Sequence, residues 1–148
     1  MIQRKQTIFL LAVAIMAILL FLFPFQTLTY NEKFWDICLM PGCSADVVGT
    51  NIYAPMIING MVLILSFVII FLYKNRVLQY KLANLLILFN VFIVGLFFLL
   101  SYVKEGTPGA ITYQFGSFLP VIGAIFAFLA AHFIKKDEQL VRSADRIR

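Results

Sequence analysis

The sequence predicts an all-α protein whose four helices form a transmembrane bundle, and three observations lead to this fold class. Hydrophobic residues make up 62% of the chain and charged residues 13%, against about 45–50% and about 25% in soluble domains. The mean hydropathy is +0.95, and a chain of 148 residues has too little interior to bury that much apolar surface in water. Four long uncharged runs alternate with short basic clusters. Disorder is excluded because apolar residues are abundant and charge is scarce.

The uncharged runs cover residues 6–31, 47–73, 82–103 and 106–134. About 20 apolar residues cross the hydrocarbon core of a bilayer as a helix, so each run holds one crossing and none holds two. The predicted spans are Thr7–Phe25, Tyr53–Tyr73, Leu82–Val103 and Phe115–Ile134. Residues 1–148 are therefore predicted to form a single four-span membrane domain.

The ends of the spans show further sequence signals. Pro24 is predicted to end the first helix, and Pro55 is predicted to lie in the first turn of the second. Pro120 is predicted to kink the fourth helix. The first span is expected to be an anchor, because its apolar run is longer than the roughly 7–15 residues of a signal peptide core and no Ala-x-Ala site follows it.

The distribution of basic residues predicts the orientation in the membrane. Lys and Arg accumulate on the cytoplasmic side of membrane proteins. Four crossings place both termini on one side together with the second loop, 74–81. That side holds Arg4, Lys5, Lys74, Arg76, Lys81, Lys135, Lys136, Arg142, Arg146 and Arg148, whereas the other side holds only Lys33 and Lys104. We therefore expect both termini to be cytoplasmic, in the inner membrane of a bacterium.

The first loop, residues 26–52, is the longest segment outside the spans and is expected to be periplasmic. It contains Cys38 and Cys43, separated by a Pro-Gly turn signal, and the periplasm is oxidising. We predict a disulfide between them, which contributes roughly 2 kcal/mol in the chain-entropy model. A redox-active pair is the alternative, but such pairs usually have a Cys-x-x-Cys spacing. Within this loop, Thr27–Tyr30 and Val47–Tyr53 are predicted to pair as a short ribbon.

Polar and small residues inside the spans are predicted to mediate helix packing. The intramembrane polar residues are Asn59, Ser66, Asn84 and Asn90. Their expected role is interhelical hydrogen bonding, and a path for a solute is the alternative. A seam of small residues, Gly116, Gly123, Ala127 and Ala131, permits close backbone approach, either inside the bundle or against another subunit.

The cytoplasmic tail, residues 135–148, has a helical pattern of apolar residues, with Leu140, Ala144 and Ile147 at spacings of four and three. Together with Arg142 and Arg146, these residues are predicted to contact either the membrane surface or a partner protein. Basic residues near anionic lipid add about 1 kcal/mol each. An ordinary solvated tail is the third interpretation.

The sequence contains no residue set typical of an enzyme. His132 is the only histidine, and no Ser-His-Asp set, phosphate-binding loop or metal-ligand cluster can be assembled around it. We therefore predict no cofactor and no metal. The spans contain no Asp, Glu, Lys or Arg, which ion-coupled transporters usually carry inside the membrane.

The two ends of the chain resemble those of a bacterial membrane family catalogued as domain of unknown function 4293. The resemblance is carried by the opening Met-Ile-Gln-Arg-Lys-Gln-Thr and by the closing segment 135–148, and it extends to the Lys-Asn-Arg of Lys74–Arg76 and the Phe-Leu-Pro of Phe118–Pro120. It implies a four-span inner-membrane protein of unestablished activity and supplies no catalytic residues.

Three functions remain open from the sequence. The first is a non-enzymatic structural or accessory subunit of a membrane complex. Its expected partners are the lipid bilayer and either other membrane subunits or further copies of this chain, and nucleic acid is not expected to bind. The second is a small transporter or channel for a neutral or lipid-like solute. The third is a periplasm-facing thiol oxidoreductase.

Overall fold

The computed structural model describes residues 5–30, 33–40, 52–72, 75–104 and 110–146, and helices dominate it. In chain order its elements are α1 (Lys5–Leu22), β1 (Gln26–Tyr30), β2 (Lys33–Ile37), α2 (Tyr53–Phe71), α3 (Arg76–Lys104), β3 (Ala110–Tyr113) and α4 (Leu119–Arg146). A 3₁₀ helix, Phe115–Phe118, leads into α4. The prediction of a mainly helical protein is confirmed, and its all-α description is corrected by a small sheet.

The four helices pack in a ring, in which each contacts its neighbours along the chain and α1 also contacts α4. Hydrogen bonds from side chains to backbone carbonyls show that neighbours run antiparallel. The Asn59 amide of α2 donates to the Ala17 carbonyl near the end of α1, and the Arg76 guanidinium at the start of α3 donates to the Asp137 carbonyl late in α4. One end of the ring carries the strands and is called the sheet end. The other carries the short connection between α2 and α3 and is called the hairpin end.

The ring has an apolar exterior and a partly polar interior. Large apolar side chains face outward on every helix, among them Leu11, Ile64, Leu88 and Phe128, the last three each more than 60% exposed. By contrast, Asn59, Ser66, Gln79, Asn90 and Ser101 are all buried. A soluble protein shows the opposite arrangement, because exposed apolar area is costly in water.

Three helices are long and apolar enough to cross a membrane, by length and composition, among the residues described: Tyr53–Phe71, Arg76–Tyr102 and Phe115–Val141. The apolar segment of α1, Gln6–Leu22, is shorter. At about 1.5 Å per residue, α1 is about 27 Å long, close to the roughly 30 Å hydrocarbon core.

A three-stranded antiparallel sheet, in the order β2-β1-β3, covers the sheet end. Threonine and aromatic residues favour these strands, and β1 pairs with β2 from Gln26 opposite Ile37 to Tyr30 opposite Lys33. The strand predicted at Thr27–Tyr30 exists, but its predicted partner is wrong. Both edges of β1 are taken by β2 and β3, and Tyr53 begins α2, while residues 47–51 lie outside the described part.

Several predicted boundaries are corrected. Helix α1 ends at Leu22 and not at Phe25, because Pro24 cannot continue it. Pro120 does not lie in a helix interior: it is the second residue of α4, where its missing N–H needs no partner. The second loop is shorter than 74–81, because α3 begins at Arg76. The tail is no separate element, since α4 continues through Ile134 to Arg146 with no Gly or Pro to stop it.

Candidate functional site

The segment that follows α1 forms a plug, residues 24–26, that crosses the sheet end of the helix ring. Its backbone is held by the residues just before α4. The N–H of Gly116 donates to the Pro24 carbonyl (3.1 Å), and the N–H of Gln114 donates to the Phe25 carbonyl (3.1 Å). The Ser117 hydroxyl also donates to the Phe25 carbonyl. The plug is therefore fixed to the segment just before α4.

The side chains of the plug reach α3, which α1 does not adjoin in the ring. The ring of Phe25 stacks on that of Phe97, with centroids 4.2 Å apart and planes 8° apart. The Gln26 amide, in a residue only 1% exposed, donates to the Phe97 carbonyl (3.0 Å) and to the Ser101 hydroxyl oxygen (2.6 Å). The plug thus connects opposite corners of the ring and closes this end of its interior.

Side chains of the sheet extend this closure. The Thr27 hydroxyl donates to the Asp36 carboxylate (2.7 Å) and accepts from the Gln114 amide (3.0 Å). The Thr112 hydroxyl donates to the Thr27 carbonyl (3.3 Å). These bonds join all three strands and the residue after β3 to one another, so the sheet forms a cap over the plug.

A polar layer lies deeper in the ring. The Asn59 amide donates to the Ala17 carbonyl of α1 (2.9 Å), and the Asn90 amide donates to the Leu86 carbonyl of its own helix (2.8 Å). Gly123 of α4 faces the Asn90 side chain so closely that a Cβ on Gly123 would lie 2.7 Å from Asn90 Oδ1. Asn59 and Asn90 are 1% and 4% exposed, so both serve packing within the ring.

The other two intramembrane polar residues behave differently from each other. Ser66 is buried, and its hydroxyl donates to the Leu63 carbonyl of the same helix (2.7 Å). Asn84 is exposed on the outer surface of α3, so it does not pack between the helices of this chain. The helical repeat explains this, because a position six residues before Asn90 is turned well away from it.

The small-residue seam lies on the inner side of the ring in this chain. Gly116, Gly123, Ala127 and Ala131 are all buried. Gly116 precedes α4, in the 3₁₀ helix, so it does not continue the helical seam. A Cβ at Gly116 would lie 2.5 Å from the Pro24 carbonyl oxygen, which shows that its contact is with the plug.

Polar groups at the hairpin end tie α3 to both of its neighbours. The Gln79 amide donates to the Ile69 carbonyl of α2 (3.0 Å), while Gln79 Oε1 has no hydrogen-bond partner among the described atoms. The Arg76 guanidinium donates to the Asp137 carbonyl of α4 (2.8 Å). Gln6, in the first turn of α1, is buried at the same end.

Helix α4 extends past its neighbours at the hairpin end. Phe133 stacks on Phe9 of α1, with centroids 5.4 Å apart, and Arg76 reaches Asp137, so residues 138–146 project beyond the first turn of α3. We call residues 138–146 the α4 extension. Leu140 and Val141 are exposed on it. The predicted tail residues Arg142 and Arg146 lie on this helix, and Ile147 lies outside the described residues.

The predicted disulfide falls partly outside the described residues. Cys38 follows β2 and is buried, whereas Cys43 belongs to residues 41–51. The pairing therefore stays a prediction. The burial of Cys38 is typical of a structural cysteine and unlike the accessible cysteine that redox catalysis requires.

An apolar groove of about 180 Å³ opens on the outer surface between α3 and α4, near the sheet end. Phe97 forms its floor and is 2% exposed, whereas Phe98 and Phe118 on its rim are about 60% exposed. Its lining consists of Val94, Phe97, Phe98, Tyr113, Ser117, Phe118 and Val121. The Ser117 hydroxyl is already bonded to Phe25, so the groove suits an apolar occupant.

Apolar side chains pack the interior of the ring among the residues described. Large side chains that are at most 1% exposed fill the levels between the buried polar groups; they are Leu10, Val13, Leu20, Val62, Ile69, Leu86 and Ile93. The arrangement can hold helices together and cap one end of the ring. His132 is exposed on α4. Among the described residues, no group of three or more His, Cys, Asp or Glu side chains is placed to hold a metal ion.

Sequence reasoning missed the plug and the hairpin-end contacts. Gln26, Gln79 and Ser101 each lie near the end of an apolar run, where a polar residue is ordinarily taken as a mark of the interface. A signal was present for Gln26, because it follows Phe-Pro-Phe directly and precedes a strand-like segment. For Gln79 and Arg76, which fall in the predicted second loop, the sequence carries no comparable signal.

Together, these observations define the class: a helical protein with membrane-like apolar helices, a partly polar interior and a small sheet as a cap. A family model described as domain of unknown function DUF4293 matches residues 2–147. The chain belongs to this family, and the resemblance seen at its two ends is confirmed. The comparison with curated proteins and the comparison with solved structures each found no match.

Proposed function

We propose that this chain is a four-span inner-membrane protein, with both termini in the cytoplasm, that serves as a non-enzymatic structural or accessory subunit of a membrane protein complex. The observation that carries the proposal is the distribution of polar groups. The buried amides of Asn59, Gln26 and Gln79 bond to other elements of the same chain, so they support architecture. Polar residues with this role are typical of helix packing in membranes.

The apolar exterior supports a bilayer location. Outward side chains such as Ile64, Leu88 and Phe128 form no interior contact that would hide them from water, and a surface of this kind is stable when lipid surrounds it. The sidedness follows from the basic residues, most of which lie at the hairpin end or in the segments leading to it.

The α4 extension is the surface that we propose binds a partner subunit. Its residues continue the axis of a helix that crosses the bilayer, so it leaves the membrane surface instead of lying along it. Leu140 and Val141 remain exposed there, beyond the roughly 20 helical residues from Leu119 that suffice to cross the hydrocarbon core. The Arg76 guanidinium donates to the Asp137 carbonyl at the base of the extension, which holds that base against α3.

The interior weighs against a solute path, and the burial of Cys38 weighs against thiol chemistry. A neutral-solute transporter needs a wet or openable interior, whereas this one is filled by side chains such as Leu86 and Ile93 and closed at the sheet end by the stacked rings of Phe25 and Phe97.

Co-purification tests the proposal. The tagged chain, extracted from native membranes in mild detergent, is expected to carry a stoichiometric partner. The double variant Leu140→Asp/Val141→Asp is expected to lose that partner by about tenfold or more, because charge at the centre of an apolar contact costs over 1.4 kcal/mol. Asn75→Asp, which adds a charge at an exposed position of the hairpin end outside the α4 extension, is the control and is expected to retain it. A chain that purifies alone and remains stable contradicts the proposal.

A further inference from the structure

We infer that the outward face of α3 binds a second copy of this chain, with Asn84 at the two-fold axis of the pair. The inference rests on the proposed bilayer location and names one partner of the proposed subunit. It is carried by an amide side chain that faces outward at a depth where lipid tails surround the helices.

Asn84 is the exposed member of the intramembrane polar set. Asn59, Ser66 and Asn90 are buried in the ring, and the Asn90 amide donates to the Leu86 carbonyl of its own helix (2.8 Å). Asn84 is exposed, and within the described part of the chain its side chain makes no hydrogen bond. Its hydrogen-bonding groups are therefore available to a partner outside this chain.

The depth of Asn84 follows from contacts between the helices. A Cβ on Gly123 of α4 would contact both Asn90 of α3 and Met16 of α1, so these three residues lie at one level. Asn84 lies six residues closer to the hairpin end, which is about 9 Å along the helix. The same step on α1 leads from Met16 to Leu10, which lies inside the apolar segment of α1. The Asn84 amide is therefore in the hydrocarbon region and not at its surface.

An amide in this position calls for a partner of its own kind. Hydrocarbon offers no water to bond to, so an unsatisfied polar group is costly there. The asparagine side chain both donates and accepts hydrogen bonds, and it is therefore complementary to itself. In a pair with its two-fold axis along the membrane normal, both copies present Asn84 at the same depth. Each amide can then donate to the carbonyl oxygen of the other.

The residues that follow Asn84 on the same face can pack against a second α3. Asn84, Leu88, Val91 and Gly95, called the outer stripe, recur at spacings of four, three and four, which is the repeat of a left-handed helix pair. Leu88 and Val91 are 61% and 55% exposed, and a Cβ on Gly95 would meet nothing within 4 Å. A single asparagine in such a stripe fixes the register and the number of helices.

Energy transfer between copies tests the inference. The full chain, labelled at its C-terminus with a donor or an acceptor fluorophore, is reconstituted into phosphatidylethanolamine–phosphatidylglycerol vesicles and diluted with lipid. We expect transfer above the level of chance encounters. Asn84→Leu is expected to raise the dissociation constant of the pair by about tenfold, the equivalent of about 1.4 kcal/mol. Asn84→Gln, which keeps the amide, is expected to retain most of the association.

A matched control moves the amide without changing the composition. In the double variant Asn84→Leu/Leu85→Asn, the amide is turned by about 100° around α3, to a position that is also exposed but lies outside the outer stripe. This variant is expected to associate as weakly as Asn84→Leu. In dilute micelles, where the copies are separate, Asn84→Leu is expected to leave the free energy of unfolding of the single chain unchanged.

Photo-crosslinking locates the interface. Benzoylphenylalanine at Val91 is expected to link two copies of the chain. The same group at Ile15 is expected to link none, because Ile15 is exposed on α1, which does not adjoin α3 in the ring. Ile15 lies next to Met16 and therefore at a similar depth. Equal yields of linked copies from both positions overturn the assignment of the interface to α3.

The other outcomes separate the pair from the bilayer location. Equal association of the unchanged chain and Asn84→Leu overturns the role of Asn84, and so does association of the double variant at full strength. Energy transfer at the level of chance encounters, in a chain that floats with its vesicles, overturns the pair but not the bilayer location. A chain that does not float with the vesicles overturns both.

Discussion

Replacement of Phe25 by alanine tests whether the plug holds the sheet end together. Phe25 is fully buried, and its ring stacks on Phe97 at 4.2 Å. Removal of a buried phenylalanine side chain typically costs about 3–5 kcal/mol, of which the stacked pair accounts for about 0.5–1.5 kcal/mol. Phe25→Leu retains most of the apolar volume but loses the ring stack, so we expect it to lower stability by less than Phe25→Ala does.

The assay is the free energy of unfolding in mixed micelles, measured by titration with sodium dodecyl sulfate and followed by helical circular dichroism. Phe128→Ala is the control, because Phe128 is 61% exposed on α4 and its loss is expected to change stability by about 0.5 kcal/mol or less. A double-mutant cycle between Phe25 and Phe97 isolates the stack. Equal effects of Phe25→Ala and Phe128→Ala refute the account of the plug.

Two further predictions concern the interior. Asn59→Leu removes the hydrogen bond to Ala17 and is expected to lower the free energy of unfolding by about 0.6 kcal/mol, and at most about 1.7 kcal/mol. In the same titration, Asn84→Leu on the outer surface is expected to cost nothing. A larger loss for Asn84→Leu than for Asn59→Leu contradicts the assignment of inner and outer faces. Gly116→Ala is expected to destabilise the chain, because its Cβ would lie 2.5 Å from a backbone oxygen. Gly95→Ala, with open space around it, is expected to stabilise α3 by up to about 1 kcal/mol, and the reverse order of these two glycine variants is the contradicting result.

The helices were predictable because their signal is local. A bilayer-crossing helix needs a continuous uncharged run, and the ends of such runs are marked by residues such as Pro24 and Arg76. The continuation of α4 past Ile134 was missed because the apolar run ends there. A change from apolar to polar residues ends a membrane span, but without Gly or Pro it does not end a helix.

The sheet and the plug were less predictable because their partners are distant in sequence. Leu28 of β1 pairs with Ile111 of β3, and Gln26 bonds to Ser101. No periodicity within either segment indicates the other. The difference between Asn84 and Asn90 also depends on which face of α3 meets α4, and apolar residues surround that helix on all sides, so the sequence gives no stripe to identify the buried face.

The central claim is that the chain crosses the membrane four times and begins and ends in the cytoplasm. Alkaline phosphatase, which is active only outside the cytoplasm, can be fused after Asp46, Asn75, Thr107 and Arg148 to measure this directly. We predict activity at Asp46 and Thr107 and none at Asn75 and Arg148. Activity at both Asp46 and Arg148, or at neither, would contradict the account.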